Sequence, residues 1–179
     1  MTVADEIRLK GELVVLRPRV DDDLPLFARW HGDPYVRHWL HMSEMPTQNL
    51  EVERQRWNIA RADPTRVSLV IETLDGNPIG NIGLIGIDAA HRRAELGIAI
   101  GETDHWGRGY GTDAIRVILR FAFETLKLRR VELITDIDNE RGIRAYEKCG
   151  FVREGVLRAK RMRYGKPLDM LAMSILRED

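Results

Sequence analysis

Trp106-Gly107-Arg108-Gly109-Tyr110-Gly111-Thr112 is the stretch on which the reading of this chain turns. It follows an apolar, strand-like segment at 94–100 (AELGIAI) and opens the clearest helical pattern in the sequence, 109–127. Ile115, Ile118, Leu119, Ala122 and Leu126 fall there on one face at a period of 3.6. Glycines let a backbone approach a ligand and adopt conformations that a Cβ forbids. The first amides of a helix lack internal acceptors and sit at the positive end of its dipole. Together these features make a seat for a phosphate or pyrophosphate. The plain alternative is a turn that merely joins two elements. Three glycines at alternate positions at a helix start favour the ligand.

A P-loop needs Lys and then Ser or Thr after its last glycine, and here Thr112-Asp113 follows. A dinucleotide site wants G-x-G-x-x-G beside the first strand of a β-α-β series. Here the last glycine comes one residue early, and roughly 100 residues precede the loop. Glu132 keeps that reading open, because a ribose-binding acid falls about 20 residues beyond such a loop.

Outward from the loop, residues 13–20 (LVVLRPRV) predict a first strand, and Asp21-Asp22-Asp23 caps a helix carrying Leu24, Phe27 and Ala28. Gly32-Asp33-Pro34 breaks it, and 47–62 predicts a second helix. Strands are expected at 67–74 and 79–87 as a hairpin, and at 94–100, 131–137, 152–161 and 169–176. Asn139 opens a further helix that Gly150 ends, with Phe151 folding back onto it. The sum is an α/β (α+β) chain, a central mixed twisted sheet of about seven strands flanked by about four helices, in one domain over 1–179.

Lys plus Arg and Asp plus Glu balance at 28 each, so bulk charge favours neither nucleic acid nor a membrane surface. A local basic run from Arg158 to Lys166 reads as a solvated strand or hairpin. Cys149 is the single cysteine, which excludes an intrachain disulfide and suits a reducing compartment. Charged residues at Asp5, Glu6, Arg8 and Lys10 argue against a signal peptide, and no apolar run is long enough to span a bilayer. The expected location is the cytoplasm.

The loop, taken with Asn139-Glu140-Arg141-Gly142-Ile143-Arg144-Ala145-Tyr146-Glu147-Lys148-Cys149-Gly150-Phe151, resembles the two cofactor motifs of the GNAT superfamily of acetyl-CoA-dependent N-acetyltransferases. The family's pyrophosphate motif is Gln/Arg-x-x-Gly-x-Gly/Ala, and Trp106 departs from it at the first position. Leu16-Arg17-Pro18, His91-Arg92-Arg93-Ala94-Glu95 and Phe151-Val152-Arg153-Glu154-Gly155 are similar to the branch that acetylates ribosomal-protein N-termini and spermidine.

The resemblance implies that acetyl-CoA binds at Trp106, Gly107, Arg108, Gly109, Tyr110, Gly111 and Thr112, and at Asn139, Arg141, Arg144, Tyr146 and Lys148. It implies that backbone groups of Ile98, Ala99 and Ile100 meet the pantetheine amides, and that Tyr146 protonates the leaving thiolate. An attacking amine must lose a proton, and Glu95 is the candidate base. Each role has a structural counterpart. Glu95 can pair with Arg92 or Arg93, Tyr146 can be a core aromatic, and Asn139 can be a helix cap. Cys149 stands at a helix C-terminus, where a thiolate is disfavoured, and reads as structural rather than as an acyl carrier.

The acceptor is assigned to the segment before the cofactor motifs. Trp30, Tyr35, Trp39 and Glu44 are its candidate contacts, or else they bury a dimer interface. His31, His38 and His41 match no known ligand spacing, so no metal is expected. The expected partners are acetyl-CoA, an amine (small amine, polyamine or peptide N-terminus) and a second copy of the chain, with neither nucleic acid nor membrane. A catalytically silent acyl-CoA-binding sensor is the competing class.

Overall fold

Alternating apolar residues in the middle of the chain build a sheet that is closed at one end and split at the other. The computed structural model describes residues 7–46 and 49–179. Its eight strands are β1 (Leu9–Lys10), β2 (Val14–Pro18), β3 (Val67–Thr73), β4 (Pro78–Asp88), β5 (Arg93–Ile100), β6 (Arg130–Asp136), β7 (Val152–Arg163) and β8 (Lys166–Leu176). They lie in the order β1-β2-β3-β4-β5-β6-β8-β7. Every neighbouring pair is antiparallel except β5–β6. That pairing removes the parallel scaffold that a dinucleotide fold needs, and with it the open reading of Glu132 as a ribose ligand. Glu132 instead pairs with Arg130 and Arg93.

The split lies at the parallel pair. β5 and β6 register only through Arg93↔Arg130, Ala94↔Val131 and Glu95↔Glu132. Beyond that point β5 runs on to Ile100, while β6 stays with β8 as far as Asp136↔Met170. The two strands therefore part, and a cleft opens between them.

Five helices cover the sheet: α1 (Leu24–Gly32), α2 (Pro34–Trp39), α3 (Leu50–Ala62), α4 (Tyr110–Arg120) and α5 (Glu140–Lys148). α4 buries Ala114, Ile115, Val117, Ile118 and Leu119 against Leu16, Leu69, Ile82, Leu84 and Leu96. Each of its large side chains contributes about 1.5–3 kcal/mol by leaving water. On the opposite sheet face Phe27, Trp30, Val36 and Val70 form a smaller cluster under α1 and α2.

The departures from expectation are local. The helix expected over 109–127 changes to a π-helical turn at Phe121–Thr125. Gly32-Asp33-Pro34 does break a helix. Asp33 then caps α2 by accepting from the backbone N–H of Tyr35 and Val36, so one expected helix is two. The start placed at Thr47 lies outside the described residues, as do Asp5 and Glu6. The basic run is not simply solvated. A register shift between Leu157 and Arg161 turns Arg161 and Arg163 onto the buried Asp136, Arg161 at 2.7 Å and Arg163 at 3.3 Å. Among the described residues no helix is long and apolar enough to cross a membrane.

Candidate active site

The cleft where β5 and β6 part has a volume of about 720 Å³, within the range of small-molecule sites. Two helix N-termini and two motif loops form one end of it. Gly107 and Gly109 take left-handed φ values of +74° and +89°, which explains the glycines there. Gly109 is the N-cap of α4 and brings no side chain to cap it, so the first-turn amides have no side-chain acceptor. Gly107, Gly109, Gly111 and Thr112 line the cleft. Arg108 and Tyr110 do not. Arg108 is exposed, and Tyr110 packs on the core with its ring 5.2 Å from that of His105.

Trp106 departs from the family pattern and has a visible role. Its indole N–H donates to the Ile100 carbonyl at 2.8 Å, which ties the loop to the end of β5. The Arg141 guanidinium lies 3.8 Å from its ring centroid, so the indole links the two motifs. Arg141 has no carboxylate partner among the described residues, and burial lowers its pKa from the ordinary arginine value. Asn139 is the cap of α5. Its Oδ1 accepts from the Gly142 N–H at 3.1 Å, and its Nδ2 donates to Thr135 Oγ1 at 3.1 Å. A Cβ on Gly142 would lie 2.6 Å from that amide nitrogen, so the glycine makes room for the cap. Arg144, bonded to Glu140 at 3.1 Å, and Lys148 also line the cleft.

The strand residues divide by parity. Ile98 and Ile100 point to α4, since a Cβ on Gly111 would lie 3.9 Å from each. Glu95, Gly97 and Ala99 therefore face the other side. Glu95 lines the cleft and is exposed, with no hydrogen bond or ion pair among the described residues. The alternative pairing with Arg92 or Arg93 does not form. Arg93 reaches Asp88 and Glu132, and Arg92 is a turn residue at φ +51°.

Tyr146 lines the cleft from α5 with its ring edge against Phe151, 5.9 Å between centroids. Its hydroxyl has no protein partner among the described residues, and burial pushes its pKa up to about 12. Gly150, at φ +95°, closes the helix, and Phe151 N–H donates back to the Tyr146 carbonyl. Cys149 is kept a thiol: burial raises its pKa to about 11, and its Sγ donates to the Thr112 carbonyl at 3.5 Å.

Of the four acceptor candidates, the structure puts only Trp39 on the cleft. Trp30 is 2% exposed in the second core, packed against Gly101, with its indole N–H on Glu102 at 2.8 Å. Tyr35 is 75% exposed on the outer side of α2. Glu44 accepts from the backbone N–H of Gly165 in the β7–β8 turn at 3.2 Å. Aromatic content could not tell a lining ring from a buried or an outward one. The three histidines diverge. His31 meets Glu53 at 2.6 Å, His38 meets Tyr164 at 3.2 Å, and His41 meets Asp136 at 3.4 Å.

Several further residues line the cleft. Arg19, Glu53, Arg56 and Trp57 come from β2's exit and α3, and Arg66, Ser68 and Asn81 from the sheet face that also carries Glu95. Glu53 is 1% exposed and held by Arg19 at 2.8 Å and by His31. Burial opposes its ionisation, but those two partners outweigh it and hold the carboxyl below the ordinary range. Arg19 is sandwiched by Phe27 and Trp57, at 3.6 and 4.7 Å from their ring centroids. Strand parity was the available signal for Arg66 and Ser68. It becomes useful only once the hairpin register is known.

With this geometry in hand, the comparisons with known proteins are decisive at the family level. The family model described as "Acetyltransferase (GNAT) domain" matches residues 14–152, most of the chain. The chain belongs to the GNAT acetyltransferase family. It is 32% identical over 133 residues to spermidine N(1)-acetyltransferase of Vibrio cholerae, covering 74% of this chain and 76% of that one. It is 30% identical over 182 residues to the uncharacterized N-acetyltransferase YoaA of Bacillus subtilis, covering 94% and 96%. Among solved structures, V. cholerae spermidine N-acetyltransferase in complex with CoA and spermine superposes with a TM-score of 0.86 at 27% identity, covering 94% of this chain and 98% of that one. The GNAT reading of the fold and of N-acetyl transfer therefore holds. The sheet has eight strands rather than about seven, because β1 adds an edge, and five helices rather than about four.

Proposed function

We propose that this N-acetyltransferase takes its acetyl group from acetyl-CoA and delivers it to a primary amine by direct attack. The observation that carries the reading is a cleft that joins two helix N-termini, that of α4 open and that of α5 capped by Asn139, to a carboxylate, Glu95, and a phenol, Tyr146, both unpaired among the described residues. The residues fit a phosphate-bearing thioester. Space in front of Gly107 is open, the α4 amides are unsatisfied by side chains, and Arg141, Arg144 and Lys148 add positive charge. Past Glu95 the β5 edge no longer pairs with β6, so the backbone groups of Ile98 and the Ile100 N–H are free to bond an extended arm as a strand would, while Ala99 is turned to β4 and the Ile100 carbonyl holds the Trp106 indole.

Acetyl-CoA supplies an acetyl group already activated as a thioester. The chain handles the protons. An alkylamine with a pKa near 10.4 arrives protonated, and Glu95 takes the proton it sheds, directly or through water. Tyr146, held at about 12 by burial, is protonated throughout the working range and gives its proton to the departing sulfur. A β5 backbone N–H supports the charge that develops on the carbonyl oxygen. The V. cholerae relative is named for spermidine and was solved with spermine, and the primary amine is the chemistry those compounds share with the wider acceptor class.

A thiol-release assay with a panel of amines tests the reading. Release should depend on the amine, and Tyr146→Phe should lower kcat about 100-fold with CoA affinity little changed. CoA binding without thiol release for any amine would make the protein an acyl-CoA sensor instead. Full activity of Tyr146→Phe would remove Tyr146 from proton transfer.

A further inference from the structure

We propose that the acceptor is a primary amine that also carries an anionic group, a carboxylate a few bonds away, with Arg66 as the residue that selects it. The inference rests on the acetyl-transfer reading above and names the substrate class of the same site.

The argument begins in the sheet register. β4 and β5 pair Ile85↔Glu95, and β3 and β4 pair Val67↔Leu84. Arg66, the residue before β3, comes opposite a bulge of β4 at Ile85 and left-handed Gly86, beyond which the bond from Ile87 N–H to the Thr65 carbonyl is shifted by one residue from that register. Arg66, Ile85 and Glu95 thus lie side by side across the strands. Two strand spacings separate the outer pair, about 10 Å between backbones. Both side chains line the cleft. Glu95 has no partner, and Arg66 has no carboxylate within ion-pair distance, among the described residues.

Two polar side chains fill the floor beside this row. Ser68 and Asn81 line the cleft, half-buried, with no side-chain bond to the protein among the described residues. Arg56 of α3, which bonds Met42 Sδ at 3.9 Å, lines the cleft as well. Glu53, the other acid lining the cleft, is already paired with Arg19 and bonded to His31. The free negative charge of the chamber is therefore confined to Glu95, and positive charge faces it across the row. An amine placed at Glu95 for deprotonation directs the rest of a short acceptor toward Arg66. A carboxylate there gains a charge-assisted hydrogen bond, whereas a second ammonium, as in a polyamine, meets repulsion.

Three acceptors of equal length test this: 5-aminopentanoate, pentylamine and cadaverine. In the wild-type protein kcat/KM should fall in that order, with about 10- to 100-fold between the carboxylate and the diamine. Arg66→Gln should collapse the ratio toward one, Arg66→Lys should restore much of it, and Arg66→Glu should invert it. The ratio is read within each variant, so partial loss of folded protein does not move it. A wild-type preference for cadaverine, or a ratio that Arg66→Gln leaves in place, overturns the inference while leaving acetyl transfer standing. If none of the three amines releases thiol, the acetyl-transfer reading fails for this class. Calorimetry on the CoA-loaded protein then decides the inference alone: 5-aminopentanoate must bind more tightly than cadaverine, and equal or reversed affinities overturn it.

Discussion

The two ends of the cleft are built in different ways. The end formed by α4 and α5 is made from backbone: left-handed glycines, an open helix start, a capped helix start, and a strand edge left without a neighbour. The end formed by α1, α2 and α3 is made from side chains paired over long sequence separations. Arg19 meets Glu53, Trp30 meets Glu102, Glu44 meets Gly165 and Arg161 meets Asp136. On the function proposed above, the backbone devices hold a phosphate and an extended amide arm. Side-chain pairs set shape and charge, and can change from one relative to the next without touching the first end.

The sharpest way to break this comparison is at Glu53. Glu53→Ala leaves the Arg19 guanidinium as uncompensated charge in a buried setting and His31 without its hydrogen-bond partner, and should cost about 3–5 kcal/mol of stability. A melting temperature lowered by about 10 °C would record it. CoA affinity of the folded fraction should survive, because no Glu53 contact reaches α4 or α5. Equal loss of CoA binding at temperatures where the variant is folded would show the two ends to be one structural unit.

At the other end, Gly111→Val adds a branched side chain without backbone strain. Gly111 is not in a left-handed conformation, and its Cβ would meet only Ile98 and Ile100 at 3.9 Å. The added methyl groups project into the cleft that Gly111 lines. CoA affinity should weaken by about tenfold or more, roughly 1.4 kcal/mol, with the melting temperature near that of wild type. Unchanged calorimetric affinity would remove the loop from the cofactor site.

The same division explains what could be read from sequence. The glycine loop, the start of the helix after it, the Asn139 cap and the Gly150 stop are decided within a few residues, and each was legible there. The split between β5 and β6 was not, because pairing that stops after Glu95↔Glu132 depends on where β6 finds β8. Trp30 and Trp39 look alike in sequence. One is fixed in the core by Gly101 and Glu102, 71 and 72 positions away, and the other lines the cleft. Arg161 and Arg163 read as surface charge because the bulge that turns them inward leaves no compositional mark. Arg66 fell just outside the expected strand, so its alignment with Glu95 could not be seen before the hairpin register was known.

Acid should separate the two ends in a smaller but directional way. Three buried carboxylates on the acceptor side, Asp23, Glu53 and Asp136, titrate below their ordinary range. In each case burial raises the pKa and is outweighed, by Arg17 for Asp23, by His31 and Arg19 for Glu53, and by His41 and Arg161 for Asp136. A carboxyl whose folded pKa is depressed contributes stability above its unfolded value, near 4, and loses it as pH falls through the folded value. The sign therefore predicts that stability is retained down to about pH 4 and drains below it. Three of the four tryptophans, Trp30, Trp39 and Trp57, sit on this side, so their fluorescence reports on it. On acidification below pH 4 the fluorescence change should precede the last of the helical circular dichroism, the part held by α4 and α5 (11 and 9 residues), because α1, α2 and α3 belong to the end that loosens first. Coincident transitions would mean that the ends differ in chemistry but unfold together. A fluorescence change already complete at pH 5 would mean that the ion pairs around Glu53 and Asp136 do not hold those carboxyls ionised.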